Sequence, residues 1–115
     1  MKIKLPDIVE SAKKRPLGIH PGTGAFVYYD ELQNGKASIL PLDKLNDKQK
    51  QALSVERYLT NEPGTITTLN GETVTREQAA EEIKKQSKIG KQLYEMDIQY
   101  LDFYLSQFPE KCFEK

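Results

Sequence analysis

The stretch from Thr75 to about Phe108 constrains this chain more than any other, because its spacing predicts one long helix. With Leu93 as zero and about 100° per residue, Ala79, Ala80, Ile83, Ser87 and Gly90 fall roughly between 40° and 140°. Tyr94, Leu101, Leu105 and Phe108 return to the same window, and Glu77, Lys84, Lys88, Glu95, Asp102 and Ser106 keep to the opposite side. Phase is therefore held across Gly90, which predicts a continuous helix some 50 Å long at about 1.5 Å per residue. Thr75 caps it, with Gln78 at the reciprocal position and Val74 placed to staple onto Ala79.

Gly90 has two readings. As a helix stop it follows acids at Glu77, Glu81 and Glu82 and bases at Lys84, Lys85 and Lys88, the polarity that suits a helix ending there. As a close-packing site it shares the apolar stripe with Ala79, Ala80 and Ser87, where small side chains admit another backbone. Retained phase favours the second. Beyond Gly90 the apolar arc widens from roughly 100° to roughly 220°, as Leu93, Met96, Ile98, Tyr100, Phe103 and Tyr104 join it. A helix that apolar is enclosed on more than one side, by its own domain or by a second chain. Met96, Tyr100, Phe103 and Tyr104 are the candidate partner-binding residues, their types being common at interface cores.

The preceding residues supply what this helix packs on. Met1–Leu5 alternates apolar residues with lysine, as a short edge strand does. Asp7 with Glu10 opens a short helix that Pro16 ends. A turn-rich segment, Leu17–Gly24, leads to a strand from Ala25 to Leu32. Asn34-Gly35 then predicts a tight hairpin with a return strand over 37–42, setting Tyr29 against Leu40 and Val27 against Leu42. Asn46 and Gln49 form a capping box for a helix over about 46–60, closed by Asn61-Glu62-Pro63-Gly64. A threonine-rich hairpin centred on Asn70-Gly71 precedes the long helix. The expected fold is a single α+β domain over residues 1–115. In it a small antiparallel sheet, the central hairpin 25–42, packs against the long C-terminal helix (about 75–108) and the shorter helix (about 46–60).

Composition narrows the function. Lys and Arg number 17 and so do Asp and Glu, so no global field favours nucleic acid or an anionic membrane. No apolar run approaches a membrane span, and no leader-like core follows Met1. One cysteine, Cys112, makes no internal disulfide and reads as an exposed bystander, so a reducing, cytoplasmic location is expected. His20, the sole histidine, and that distant cysteine do not make a zinc site, and no metal or cofactor is expected. The glycines around His20 lead into a strand without a Gly-Lys-Ser/Thr ending, unlike a phosphate loop.

Asp97 sits at about 40°, inside the apolar arc, and must be paired, hydrogen-bonded or protonated there, with a tyrosine, a Lys or Arg, or His20 as candidate partners. Three functions follow. The leading one is a non-enzymatic protein-binding module, an adaptor, inhibitor or homodimer, using the apolar helix. The alternative is nucleic-acid binding through Lys84, Lys85, Lys88 and Lys91. It is the weaker reading, since lysine far outnumbers arginine, the better base reader. The third is a small enzyme using His20 with Asp97.

Overall fold

The computed structural model describes residues 3–60, 65–68 and 71–113 and confirms an α+β architecture. In chain order it has α1 (Glu10–Lys13), β1 (Gly18–Ile19), β2 (Phe26–Val27), α2 (Tyr29–Gln33), α3 (Asp47–Leu59), β3 (Thr65–Thr67), β4 (Thr73–Thr75), α4 (Arg76–Lys85) and α5 (Lys88–Leu105). Two antiparallel two-stranded sheets, β1–β2 and β3–β4, accompany the three main helices, and α5 packs on α3 and α4.

The first correction concerns the central hairpin 25–42. Only Phe26–Val27 is strand, and it pairs backwards with β1 (Gly18↔Val27, Ile19↔Phe26) around the glycine-rich loop. The chain then turns into α2, whose first turn holds Asp30 and Glu31, acids that suit a helix start. Glu31 Oε1 accepts from the Tyr28 amide at 3.1 Å. Asn34-Gly35 ends this helix instead of joining two strands. Gly35 takes φ +69°, its amide donates to Leu32 O at 3.1 Å, and the Lys36 amide donates to Glu31 O at 3.0 Å. That is a Schellman cap. Tolerance of positive φ is what hairpin turns and helix ends both need, so the dipeptide alone does not separate them. The 37–42 segment runs instead beside β1: the Leu40 amide donates to Ile19 O at 3.0 Å, and Ile39 forms a parallel bridge to Phe113. Gly18 is needed there, because a Cβ would lie 2.8 Å from the Ile39 side chain.

The second correction is the helix over 75–108, which is two helices meeting at a corner. Gln86 adopts the left-handed conformation (φ 56°), its amide donating to Ile83 O at 3.1 Å and the Ser87 amide to Glu82 O at 3.3 Å. Ser87 serves both helices, since its Oγ accepts from the Gly90 amide at 3.0 Å and so caps α5. A glutamine in this conformation costs about 1 kcal/mol relative to glycine. Phase survived the break because α4 and α5 each bury one side.

Other expectations hold or shift. The Asn46–Gln49 box caps α3 reciprocally (2.9 and 2.8 Å), and Thr75 with Gln78 does so for α4 (2.9 and 3.1 Å). The threonine hairpin pairs Thr65↔Thr75, Ile66↔Val74 and Thr67↔Thr73. Residues 1–2, 61–64 and 69–70, which include part of the edge strand and of two turns, lie outside the described residues. Residues 3–5 form no strand, and the Ile3 amide donates to Gln33 O at 2.7 Å. The first helix starts late, with Val9 and not Asp7 as its cap.

The core is in two parts. One joins α1, β1, β2 and α2 (Leu17, Val27, Tyr29, Leu32, Ile39) to Leu53 and to the chain's far end (Leu101, Leu105, Phe108, Cys112). The other joins Val55 of α3 to Ala79, Ala80 and Ile83 of α4 and Leu93 of α5, with Ile66 and Val74 of the threonine hairpin against it.

Candidate functional site

Asp97 is where α3 and α5 are locked together. Its carboxylate faces α3 and is only 9% exposed, and Arg57 beside it is only 3% exposed. Arg57 Nε donates to Oδ1 at 3.0 Å and Oδ2 at 3.1 Å, and Ser54 Oγ donates to Oδ2 at 3.0 Å. Arg57 Nη1 donates to Pro16 O at 2.9 Å, tying the network to the loop after α1. Neither Ser54 nor Arg57 is singled out by sequence reasoning, which identified α3 from its cap and its stop. Leu53 and Val55 beside them are buried, whereas Ala52 and Leu59 are exposed. The available signal was spacing: Leu53, Ser54 and Arg57 are helical neighbours three and four apart, on the side that meets Asp97.

His20 is not part of this network. Its Nδ1 accepts from the amides of Gly22 (3.0 Å) and Thr23 (3.2 Å), so it organises its own loop, and both Asp97 oxygens are already engaged. The structure does not bring the proposed His20–Asp97 pair together. Cys112 is fully buried in the first core cluster, not exposed, and burial pushes its thiol up, away from the reactive thiolate. It is held there because its carbonyl accepts from the Ile39 amide at 2.8 Å. Among the described residues no group of His, Cys, Asp or Glu has metal-ligand geometry. Nor, among these residues, is any helix long and apolar enough to cross a membrane.

The tyrosines divide by environment. Tyr58 donates to Leu93 O at 3.0 Å, and its phenol is pushed up to about 12, first by burial and then by the Asp97 charge. Because its folded value lies above the ordinary 10.0, the folded state holds this proton where the unfolded chain releases it. Its contribution to stability is complete below pH 10 and is lost as pH rises towards about 12. Urea midpoints of the wild type should fall across that window, and Tyr58→Phe should fall less steeply. Equal slopes would show that Tyr58 titrates as in the unfolded chain.

On the outside of α5, Met96, Tyr100 and Phe103 are 43%, 47% and 64% exposed, and Tyr104 is half-buried against the first cluster. The exposed three are spaced i, i+4, i+7 and form one stripe. Tyr100 and Tyr104 share a hydroxyl–hydroxyl hydrogen bond of 2.7 Å and stack edge to face, with ring centroids 4.7 Å apart. Phe103 leans on Tyr104 from the other side, 6.1 Å between centroids.

Lys84, Lys85, Lys88 and Lys91 are all exposed and sit around the Gln86 corner, two on each helix. Arginine is distributed differently. Arg15, Arg57 and Arg76 are the chain's only arginines, far apart in sequence, and of the three it is Arg57 that pairs with Asp97. Arg15 is half-buried, and its Nε is buried with no hydrogen-bond partner. Burial, and then the cations of Arg57 and Arg76, hold its guanidinium below the ordinary value.

No family model, curated protein or solved structure matches the chain. Fold and geometry together define a small α+β domain with a buried Ser54–Arg57–Asp97 lock and an exposed aromatic stripe on α5.

Proposed function

We propose that this protein is a non-enzymatic binding module that docks a partner polypeptide, another protein or a second copy of itself, on the outer face of α5. The observation that supports this most is the Met96–Tyr100–Phe103 stripe, in which three large side chains stand exposed on one side of a helix whose other side is core. Such side chains gain little by facing water, and their burial against a partner is favourable by about 25 cal/mol per Å² of apolar surface. Anchors at i, i+4 and i+7 are what a groove or a second helix reads.

The test is a photo-crosslinking side chain placed at Phe103 in the native source, with the same group at Glu77 as a control. A discrete adduct from Phe103 alone is expected, and an additional Tyr100→Asp should abolish it. An adduct of twice the chain's mass identifies a second copy. Because Phe103 is 64% exposed, Phe103→Asp should change stability by no more than about 0.5 kcal/mol, so lost binding is separable from lost folding. No adduct, or equal adducts from Phe103 and Glu77, would sink this reading.

A second reading draws on the four corner lysines, which are exposed and have no carboxylate partner among the described residues. It requires steeply salt-dependent binding to a generic duplex or single strand, and no retardation at low salt ends it.

A further inference from the structure

We infer that the partner of the α5 stripe is a second copy of this chain, paired two-fold and antiparallel so that Met96 of each copy meets Phe103 of the other. The inference rests on the docking reading above and names its occupant. A two-fold dimer needs a patch that is complementary to itself when turned end for end. The outer face of α5 has that property about a point midway between Gln99 and Tyr100. Turning the helix about that point carries Met96 onto Phe103, Gln99 onto Tyr100, and Gln92 onto Gln107 just past the helix end. Apolar side chain falls on apolar side chain, amide on phenol, and amide on amide. The Met96 thioether then lies against the Phe103 ring, a favourable sulfur–aromatic contact that each dimer makes twice.

Charge points the same way. Charged residues make up 30% of the chain, yet Met96, Gln99, Tyr100 and Phe103, all exposed, carry no charge. The nearest carboxylates, Glu95 and Asp102, stand roughly 100° or more round the helix from the midline of the stripe, at its rim. An uncharged strip selects neither an acidic nor a basic partner, whereas it meets its own copy with no like charges opposed on the strip itself. The whole chain is neutral, 17 cations against 17 anions, so two copies approach without long-range repulsion. The patch is also preorganised. Tyr100 is held by its hydroxyl bond to Tyr104, and Phe103 leans on the same ring, so little side-chain freedom is left to lose on pairing. Extent sets the strength. At roughly 150–250 Å² per aromatic side chain, the exposed parts of Met96, Tyr100 and Phe103 offer on the order of 300 Å² per copy. A stable complex covers roughly 800 Å² per partner, so this dimer is reversible and depends on concentration.

The experiment measures the mass of the purified full chain by sedimentation from about 1 μM to about 1 mM, and then traps the register with disulfides in a glutathione buffer. The mass is expected to rise reversibly from 13.2 kDa towards twice that value, and Phe103→Asp is expected to weaken pairing about tenfold or more. For the register, a chain carrying Met96→Cys is mixed with one carrying Phe103→Cys. The cross-linked heterodimer should exceed either homodimer about tenfold, because like positions in this pairing lie roughly 10 Å apart along the helix axes, beyond disulfide reach. Cys112 is fully buried and does not compete. A chain that stays at 13.2 kDa at about 1 mM overturns the proposal, and a Phe103 adduct to a different protein then leaves the docking reading standing. Homodimers trapped as readily as the heterodimer, or pairing unchanged by Phe103→Asp, overturn it as well.

Discussion

Asp97→Ala is expected to lose about 3–5 kcal/mol of stability, because it strands the Arg57 charge in a dry interior. With Arg57 only 3% exposed, the guanidinium has no route to water without pulling α3 away from α5. Ser54 loses its acceptor at the same time. A loss of that size is a large share of the roughly 5–15 kcal/mol that holds an ordinary domain together. The Asp97→Ala protein should therefore unfold at a much lower urea midpoint. Replacing the pair with apolar residues of similar volume, Arg57→Met with Asp97→Leu, should cost far less than Asp97→Ala alone, since no charge is then left unpaired. If the single and the double variant unfold at the same midpoint, the buried charge is not what the carboxylate compensates.

Gly90→Ala should also be severely destabilising, with a sign opposite to that expected of a glycine in an ordinary helix. In an open helix interior, alanine gains about 1 kcal/mol over glycine. Here the added Cβ would collide with the Glu82 carbonyl and would come within 2.8 Å of the Ile83 amide nitrogen. Both are backbone atoms of α4, so no side-chain rotation relieves the overlap. A loss of about 3 kcal/mol or more is expected, read from urea unfolding and from loss of the tight α4–α5 contact in amide exchange. A more stable Gly90→Ala protein would mean that the first turn of α5 stands clear of α4.

The α3 and α4 caps and the threonine hairpin were legible in the sequence because each is specified within a few residues. Asn46 with Gln49 and Thr75 with Gln78 satisfy their own backbone amides wherever the rest of the chain goes. The failures are positions where one local preference serves two structures. Asn34-Gly35 offers positive φ to a hairpin turn or to a helix end, and only the acids at Asp30 and Glu31 tip the preceding residues towards helix. The stop at Gln86 was hidden because glutamine is an unusual residue for a left-handed cap, and because Ser87, the capping residue, also fits the small-residue stripe of one unbroken helix. Reading Gly90 as a close-packing site was right in kind, although the backbone it admits belongs to α4, at Glu82 and Ile83 just before the corner. For the site, periodicity sufficed to show that Asp97 is inward-facing. Its partners could not be read, because Arg57 and Ser54 lie 40 and 43 positions away, and nothing local marks a helix-borne arginine as buried.

The division of the core has a consequence for how the chain is made. The cluster that joins α3, the threonine hairpin, α4 and the start of α5 draws on neighbouring segments, and contacts of that kind form early and quickly. The other cluster cannot close in sequence order. Leu17, Val27, Leu32 and Ile39 leave the ribosome long before Leu101, Leu105, Phe108 and Cys112, the residues that cover them. During synthesis the first forty residues therefore wait with their apolar side open, and the Ile39–Phe113 bridge is among the last contacts to form. One core cluster is built from segments that neighbour one another in the chain, and the other is complete only with the segment around Phe108 to Phe113 in place.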